Sequence, residues 1–406
     1  MHGIKEVCDL EGDALNGGAR DVRSRGSPRN AKNGSSSVGV PVRCAETNKG
    51  GDEIDSAVVG NGFRQRLDLL RSADHSQTVA KPLHHRTSDE DAAFEGVLGY
   101  VVDLPGHVLL RVRACGVCRT DLHIVEGELP PKQVRIIPGH QIVGEVIEGA
   151  TPEIPLGTRV GVCWLGGTDG TCPFCQRGLE NLCDSPTFTG YTVAGGYAQN
   201  ALTRADFVFP LPDTLDDLHA APLLCAGIIG FRSLRLAGVG RGERVGLFGF
   251  GASAHLAIRV LEAWNCEVYV STRGKSHSEL ARSLGATWVG AETDKPPVEL
   301  DRAITFAPSG DVVIAALSSL RKGGVVAINA IHLDRIPQFD YDTLLWGERQ
   351  IRSVANMTRA DARDFLALAA QIGLRPRVTG FKLDEVNEAL LAVKKDAIDG
   401  AAVIVP

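Results

Sequence analysis

From about Ala226 onward the chain alternates short apolar runs with helical periods, and few architectures accommodate that alternation. RVGLFGF (244–250) and EVYVST (267–272) are strand-like, whereas ASAHLAIRVLEAW (252–264) and HSELARSLGA (277–286) have helical spacing. DRAITFA (301–307), DVVIAALSSL (311–320) and GVVAINA (324–330) continue the series. Strands alternating with helices predict a parallel sheet covered on both faces. Arg321 and Lys322, just before Gly323 and Gly324, suit a helix C-terminus, where cations complement the dipole. Two further helices (362–373 and 383–396) and a closing strand, AAVIVP, complete the chain.

Upstream the texture differs. LLRVRACGV, IVGEVIEGA (142–150) and TRVGV (158–162) are strands with Gly and Pro between them, which marks a β-rich, loop-rich unit beginning at Val108. Residues 76–107 hold one strand-like piece, Val97–Val102. Within residues 1–75 the stretch 14–39 is polar, rich in Gly, Ser, Arg and Asn and without periodicity, so a disordered extension is expected over 1–75.

The 406 residues make two domains the default expectation. A formal net charge of −6 argues against nucleic acid or an anionic membrane as partner. No apolar run approaches the roughly 20 residues that span a bilayer. The opening MHGIKEVCDLEGDALNGG lacks an apolar h-region and carries early acids, so a cytoplasmic protein is expected. In that setting ten cysteines point to metal binding before disulfides.

Gly249-Phe-Gly251-Ala-Ser-Ala254 follows a strand and opens a helix, the G-x-G-x-x-G/A form of a dinucleotide turn. Gly249 permits the sharp turn, Gly251 lets backbone approach a pyrophosphate, and the small Ala254 allows close helix–strand packing. The helix N-terminus then presents free N–H groups to phosphate. At the end of the next strand, where NAD sites place an acid on the ribose, the chain has Ser271-Thr272-Arg273, then Lys275. Arg273 suits a 2′-phosphate, so NADP(H) is favoured. NAD(H), with Arg273 stacked on adenine, is the alternative.

Two metal sets stand out. Asp169, Cys172, Cys175 and Cys183 are spaced D-x2-C-x2-C-x7-C and can close a tetrahedral structural zinc site, with Cys163 a competing fourth ligand. CPFC alone would also suit a zinc-ribbon nucleic-acid module, but interleaved basic and aromatic residues are missing. Cys118, His140 in PGHQ and Cys225 in APLLCAG form the second set, which spacing alone cannot unite.

Taken together, GVCRTDLH (116–123), PGHQIVGEV (138–146), DGTCPFCQRGLENLC (169–183), AAPLLCAG (220–227) and GFGASA (249–254) resemble the zinc-dependent alcohol dehydrogenases of the medium-chain dehydrogenase/reductase superfamily. Within it they look closest to the bacterial zinc-binding alcohol dehydrogenases. The resemblance covers about Val108 to Pro406. It implies an α/β fold: a GroES-like β-rich catalytic domain over 76–225, to which 355–406 return, and a Rossmann doubly wound parallel-sheet cofactor domain over 226–354. It further implies interconversion of alcohols with aldehydes or ketones, hydride passing to or from a nicotinamide cofactor, and a homo-oligomer, dimer or tetramer. By the same resemblance Cys118, His140 and Cys225 hold the catalytic zinc, leaving the fourth position open. Thr120 then hydrogen-bonds the substrate hydroxyl, His123 relays the proton to solvent, Asp121 orients His140, Arg119 pairs the pyrophosphate, and Trp164 borders the substrate pocket or packs the core.

Three departures accompany the resemblance. Gln141 stands where the family has Glu after the ligand His, Asp169 where it has Cys, and residues 1–107 do not resemble the family's start. Two other readings remain at this level: a zinc-free quinone or enoyl reductase, which would need neither Cys118 nor His140, and a non-catalytic nucleotide-binding descendant.

Overall fold

A computed structural model of the chain describes residues 104–133, 135–398 and 400–406. The expectations for residues 1–75 and for a strand at Val97–Val102 lie outside the described residues. The first part supplies β1 (His107–Val117), β2 (Gln141–Glu148), β3 (Arg159–Val162), β4 (Leu165–Gly167), β5 (Thr187–Phe188), β6 (Asn200–Arg204) and β7 (Val208–Pro210). The middle supplies β8 (Arg244–Phe248), β9 (Glu267–Ser271), β10 (Trp288–Gly290), β11 (Leu300–Thr305), β12 (Leu320–Ile328) and β13 (Gln350–Ser353). The last part returns with β14 (Val378–Lys382) and β15 (Ala401–Val405).

One sheet runs β14-β15-β1-β2-β3-β7, with β6 also paired to β1. β1 alternates, Val108, Leu110, Val112 and Ala114 pointing inward while Arg111 and Arg113 face solvent. A one-sided sheet needs that pattern. β15 pairs antiparallel with β1, so the chain's end completes the sheet that its first described strand begins.

The second sheet runs β10-β9-β8-β11-β12-β13, every pair parallel. Its inner strands are continuous apolar runs because helices cover both faces; Val245, Leu247 and Phe248 of β8 are fully buried. The order reverses between β8 and β11, and at that switch point α/β sheets bind ligands beyond the carboxyl ends of the strands. The structure corrects one local expectation. Arg321 and Lys322 lie in β12 and do not end a helix. Helix Gly310–Ser318 stops before them, and Arg321 is drawn across to Asp301 of β11, Nε to Oδ1 2.5 Å.

One apolar cluster joins the two sheets. It runs from Ala114 and Val143 through Leu223, Ile228 and Phe365 to Val245 and Leu247. Each Val, Leu, Ile or Phe among them contributes about 1.5–3 kcal/mol on burial. A charged knot reinforces the joint. Asp361, 2 % exposed, accepts from Arg232 Nη1 at 2.6 Å, Arg235 Nη1 at 3.1 Å and Thr358 Oγ1 at 2.7 Å. It thereby caps helix Arg359–Gln371 and fixes it to helix Ala226–Ala237. Among the described residues no single helix is long and apolar enough to cross a membrane. The bent pair Asp217–Leu224 and Ala226–Ala237 reaches that measure jointly, and Leu223, Leu224, Ile228 and Leu234 of it lie at the centre of the core.

Candidate active site and metal centres

Cys118, His140 and Cys225 are 107 residues apart at the extremes, yet their ligand atoms lie within 4.8 Å of one another. Each sits at an abrupt change of backbone. Cys118 is the residue before helix Arg119–Glu126, and Cys225 the residue before helix Ala226–Ala237. His140 precedes β2, and its approach is clamped by a short ladder: Gly195 N to Ile137 O at 2.7 Å, Gly196 N to Gly139 O at 2.7 Å, and Tyr197 N to Pro138 O at 3.1 Å.

Asp121 organises this corner. Fully buried, its carboxylate accepts four hydrogen bonds: from Cys118 N (2.9 Å), Gly139 N (3.2 Å), His140 Nδ1 (3.0 Å) and Tyr197 Oη (2.9 Å). With Nδ1 bound to the carboxylate, the His140 tautomer is set and Nε2 faces the two sulfurs. Nε2 is buried and has no hydrogen-bond partner. An orphaned buried nitrogen costs about 1–3 kcal/mol unless something ligates it. Burial alone would lower the His140 pKa, but Asp121 and Cys118 more than offset that and hold the imidazole up to about 10. The two thiols diverge: Cys118 is pulled well below the usual thiol range, first by the neighbouring Cys225 thiol and then by His140, while Cys225 is pushed up by Cys118 and by burial. A thiolate beside an oriented imidazolium becomes a donor set suited to zinc once a metal takes the place of the Nε2 proton. Cys118 and Cys225 are only half-buried, so the cluster opens on one side.

Thr120, 4 % exposed, holds its Oγ1 3.7 Å from Cys118 Sγ, within reach of a sulfur hydrogen bond. His123 lies one helical turn on, nearer solvent, with Nδ1 against Glu128 Oε2. Gln141, the residue after the ligand His140, is buried with its side chain against Gly116. Trp164 meets the His140 ring edge-on at 5.1 Å and stacks on Phe188 (5.1 Å) and Tyr191 (5.9 Å). Tyr191 Oη donates to Pro130 O at 2.6 Å, anchoring that stack.

At the switch point Gly249 has φ +89°, and a Cβ there would lie 2.8 Å from Ala307 N, so only glycine fits. Gly251 caps helix Ala252–Ala263, whose Ala254 is fully buried. Gly230 of the neighbouring helix lets the two helices close, since a Cβ on it would lie 2.9 Å from Ser253 O. Arg119 is exposed on the first turn of its helix. Thr272 is buried, its N–H bonded to Gly290 O at 3.1 Å, whereas the Arg273 side chain is 80 % exposed.

Asp169, Cys172, Cys175 and Cys183 form the second cluster, their ligand atoms also within 4.8 Å. Cys163 is not among them; it is fully buried near Cys225, and burial pushes its thiol far up. Asp169 Oδ1 accepts from Thr171 N (2.8 Å) and Cys172 N (2.9 Å), which holds its carboxyl well below the usual range. Backbone N–H groups also reach two of the sulfurs: Cys175 N to Cys172 Sγ at 3.5 Å and Ser185 N to Cys183 Sγ at 3.4 Å. Burial raises Cys175 to about 11. The loop is fastened to the returning chain by Glu180, which binds Arg359, and by Asn181 Nδ2 to Ala355 O at 2.8 Å. If zinc fills both clusters, substituting Cys172 by Ala is expected to remove one ion per chain and to lower the thermal midpoint while leaving the Cys118 cluster loaded. Differential scanning calorimetry beside metal analysis checks this; an unchanged midpoint and zinc content would contradict it.

Sequence reasoning missed Tyr197, Phe188, Tyr191 and Glu128. Each is a single residue without motif context, so nothing in its neighbourhood signals the contact.

Residues 104–213 match the family model "Alcohol dehydrogenase GroES-like domain". The chain is 47 % identical over 307 residues to "Probable alcohol dehydrogenase AdhA" of Mycobacterium tuberculosis, covering 74 % of this chain and 89 % of that protein. It is 34 % identical over 310 residues to an alcohol dehydrogenase of Geobacillus stearothermophilus, covering 74 % and 91 %. Among solved structures it superposes on the alcohol dehydrogenase of Aeropyrum pernix with TM-score 0.66 and 26 % identity, covering 78 % and 96 %. It superposes equally, TM-score 0.66 and 26 % identity, on acetophenone reductase from Geotrichum candidum in complex with NAD, covering 74 % and 90 %. With its two sheets, its dinucleotide turn and its ligand clusters, the chain belongs to the zinc-dependent alcohol dehydrogenase family of the medium-chain dehydrogenase/reductase superfamily.

Proposed function

We propose that this alcohol dehydrogenase depends on a catalytic zinc held by Cys118, His140 and Cys225, carries a structural zinc on Asp169, Cys172, Cys175 and Cys183, and prefers NADP(H) while still accepting NAD(H). The observation that carries the reading is the buried, unpartnered Nε2 of His140 beside two thiols. When bound, the zinc supplies a Lewis acid at the substrate oxygen and the nicotinamide supplies the hydride acceptor or donor. The chain's own groups do the rest. Thr120 Oγ1, buried beside Cys118, holds the substrate hydroxyl and takes its proton's first hydrogen bond. His123, a turn further along the same helix, passes the proton outward, with Glu128 Oε2 against its Nδ1. Asp121 fixes His140, and the stack of Trp164, Phe188 and Tyr191 walls the substrate side and excludes water. The Gly249–Gly251 turn, the N-terminus of helix Ala252–Ala263 and Arg119 would hold the pyrophosphate, and Thr272 and Arg273 would hold the 2′ end of the adenosine ribose.

The test is aldehyde-dependent oxidation of NADPH and of NADH by the purified protein. Turnover with both is expected, with NADPH the better donor. Replacing Thr120 by Ala should lower kcat about a hundredfold, the usual scale for removing a positioned proton-transfer group, with cofactor affinity unchanged. A T120A enzyme retaining most of its kcat would sink the role given to this hydroxyl.

A further inference from the structure

Arg273 does not stand alone at the end of β9. Glu292, two residues past β10, brings its Oε1 to 3.9 Å from Arg273 Nε. The acid is the better-sheltered partner, its side chain 28 % exposed against 80 % for the arginine. Its place is fixed by a tied turn. Ala291 N donates to the Asp294 carboxylate at 2.8 Å, and Asp294 N donates to Ala291 O at 3.0 Å. Ser271 Oγ donates to Asp294 O at 3.0 Å, which pins the turn to β9 itself. Glu292 thus stands on a tied turn, while the Arg273 side chain is mostly exposed. Lys275, the other nearby cation, is 90 % exposed and turned to Glu279 at 3.6 Å.

We propose that Glu292 is a specificity-determining residue at the adenosine end of the cofactor site, opposing the preference that Arg273 confers. This rests on the reading that Arg273 faces the ribose 2′ position. Dinucleotide sites that accept the unphosphorylated cofactor place an acid at the end of the second strand of the unit, where it binds the ribose hydroxyls. This chain has none at the end of β9, where Ser271, Thr272 and Arg273 stand, and delivers one from the turn after β10 instead. An ionised carboxylate offers only acceptors, so it welcomes a ribose hydroxyl and repels a 2′-phosphate. Arg273 does the reverse, pairing a phosphate with its fork of donors. The two residues compete over one position, and a site containing both takes both cofactors with a modest preference. The sequence near Arg273 hides this because the acid arrives nineteen residues later.

The experiment is calorimetric titration of the full-length protein with 5′-AMP and with 2′,5′-ADP, which probe the adenosine end without the reaction. The wild type is compared with E292Q and R273A. Glu292 is partly exposed and contributes no core packing, so E292Q keeps the fold. E292Q is expected to bind 2′,5′-ADP about five- to tenfold more tightly, the scale of one partly screened charge acting on a doubly charged group. Its affinity for 5′-AMP should stay the same or fall. R273A should lose about tenfold or more for 2′,5′-ADP alone. If E292Q leaves the ratio of the two affinities within twofold of wild type, the proposal is overturned while the site reading stands. If the wild type binds neither probe, or R273A binds 2′,5′-ADP as tightly as wild type, the reading of the site fails and the proposal goes with it.

Discussion

Replacing Cys225 or His140 by Ala is expected to lower kcat about a thousandfold or more, with nucleotide binding intact. Either change removes one of three ligand side chains whose donor atoms lie within 4.8 Å, leaving two. A metal acting as a Lewis acid contributes several kcal/mol to the barrier, and about 4 kcal/mol corresponds to about three decades in rate. The nucleotide turn lies on the other sheet, at Gly249–Gly251, so binding of 2′,5′-ADP serves as the internal control for folding. Stopped-flow reduction of an aldehyde by excess NADPH reads the effect directly. A variant that keeps a tenth or more of the wild-type kcat would show that these residues do not hold the catalytic group.

Asp121→Asn is expected to cost the zinc site about 10- to 100-fold in metal affinity, although the substitution keeps size and shape. Oδ1 of Asp121 accepts from Gly139 N and His140 Nδ1, and Oδ2 accepts from Cys118 N and Tyr197 Oη. An amide keeps one acceptor oxygen and puts an NH2 group where the second pair of donors points. At least one buried donor is then left unsatisfied, at about 1–3 kcal/mol. His140 also loses the negative partner that raises its basicity and fixes its tautomer. Tyr197→Phe removes one donor from the same carboxylate and should do much less. The pair of variants therefore separates the charge of Asp121 from the general integrity of the corner. Competition with a zinc chelator of known affinity measures it, and equal losses in D121N and Y197F would contradict the role of the charge.

The parallel sheet was legible from sequence because its inner strands are buried on both faces. Runs such as RVGLF and EVYVS carry enough apolar residues to announce themselves, and helices between them keep a 3.6-residue period. The edges were not legible. β13 is QIRS, three of its four residues exposed, and β14 is VTGFK with a glycine at its centre. Arg321 and Lys322 misled for a related reason. Cations beside two glycines fit a helix end locally, but the pairing of β12 with β11 and the contact to Asp301 decide the backbone there.

The site divides in the same way. The Cys172–Cys175 spacing and the Gly249–Gly251 turn are local, so the residues alone suggest their chemistry. Cys118, His140 and Cys225 could be joined only through the family resemblance, since the sheet of β1 and β2 and the start of helix Ala226–Ala237 bring them together. Tyr197 and Glu292 were invisible. Tyr197 reaches Asp121 across 76 residues, and Glu292 meets Arg273 through a turn fixed by Asp294. Gln141 and Asp169 were visible as departures, and the geometry accommodates both. Gln141 packs on Gly116, while Asp169 sits within ligand distance of three thiols.

The central claim is that this chain holds two zinc ions on two separate side-chain sets. The most direct test is metal analysis of purified, folded protein, wild type beside Cys118→Ala. Two zinc per chain are expected in the wild type and one in the variant, the survivor held at Asp169, Cys172, Cys175 and Cys183. A folded wild type without zinc, or a C118A variant that still carries both ions, would contradict it.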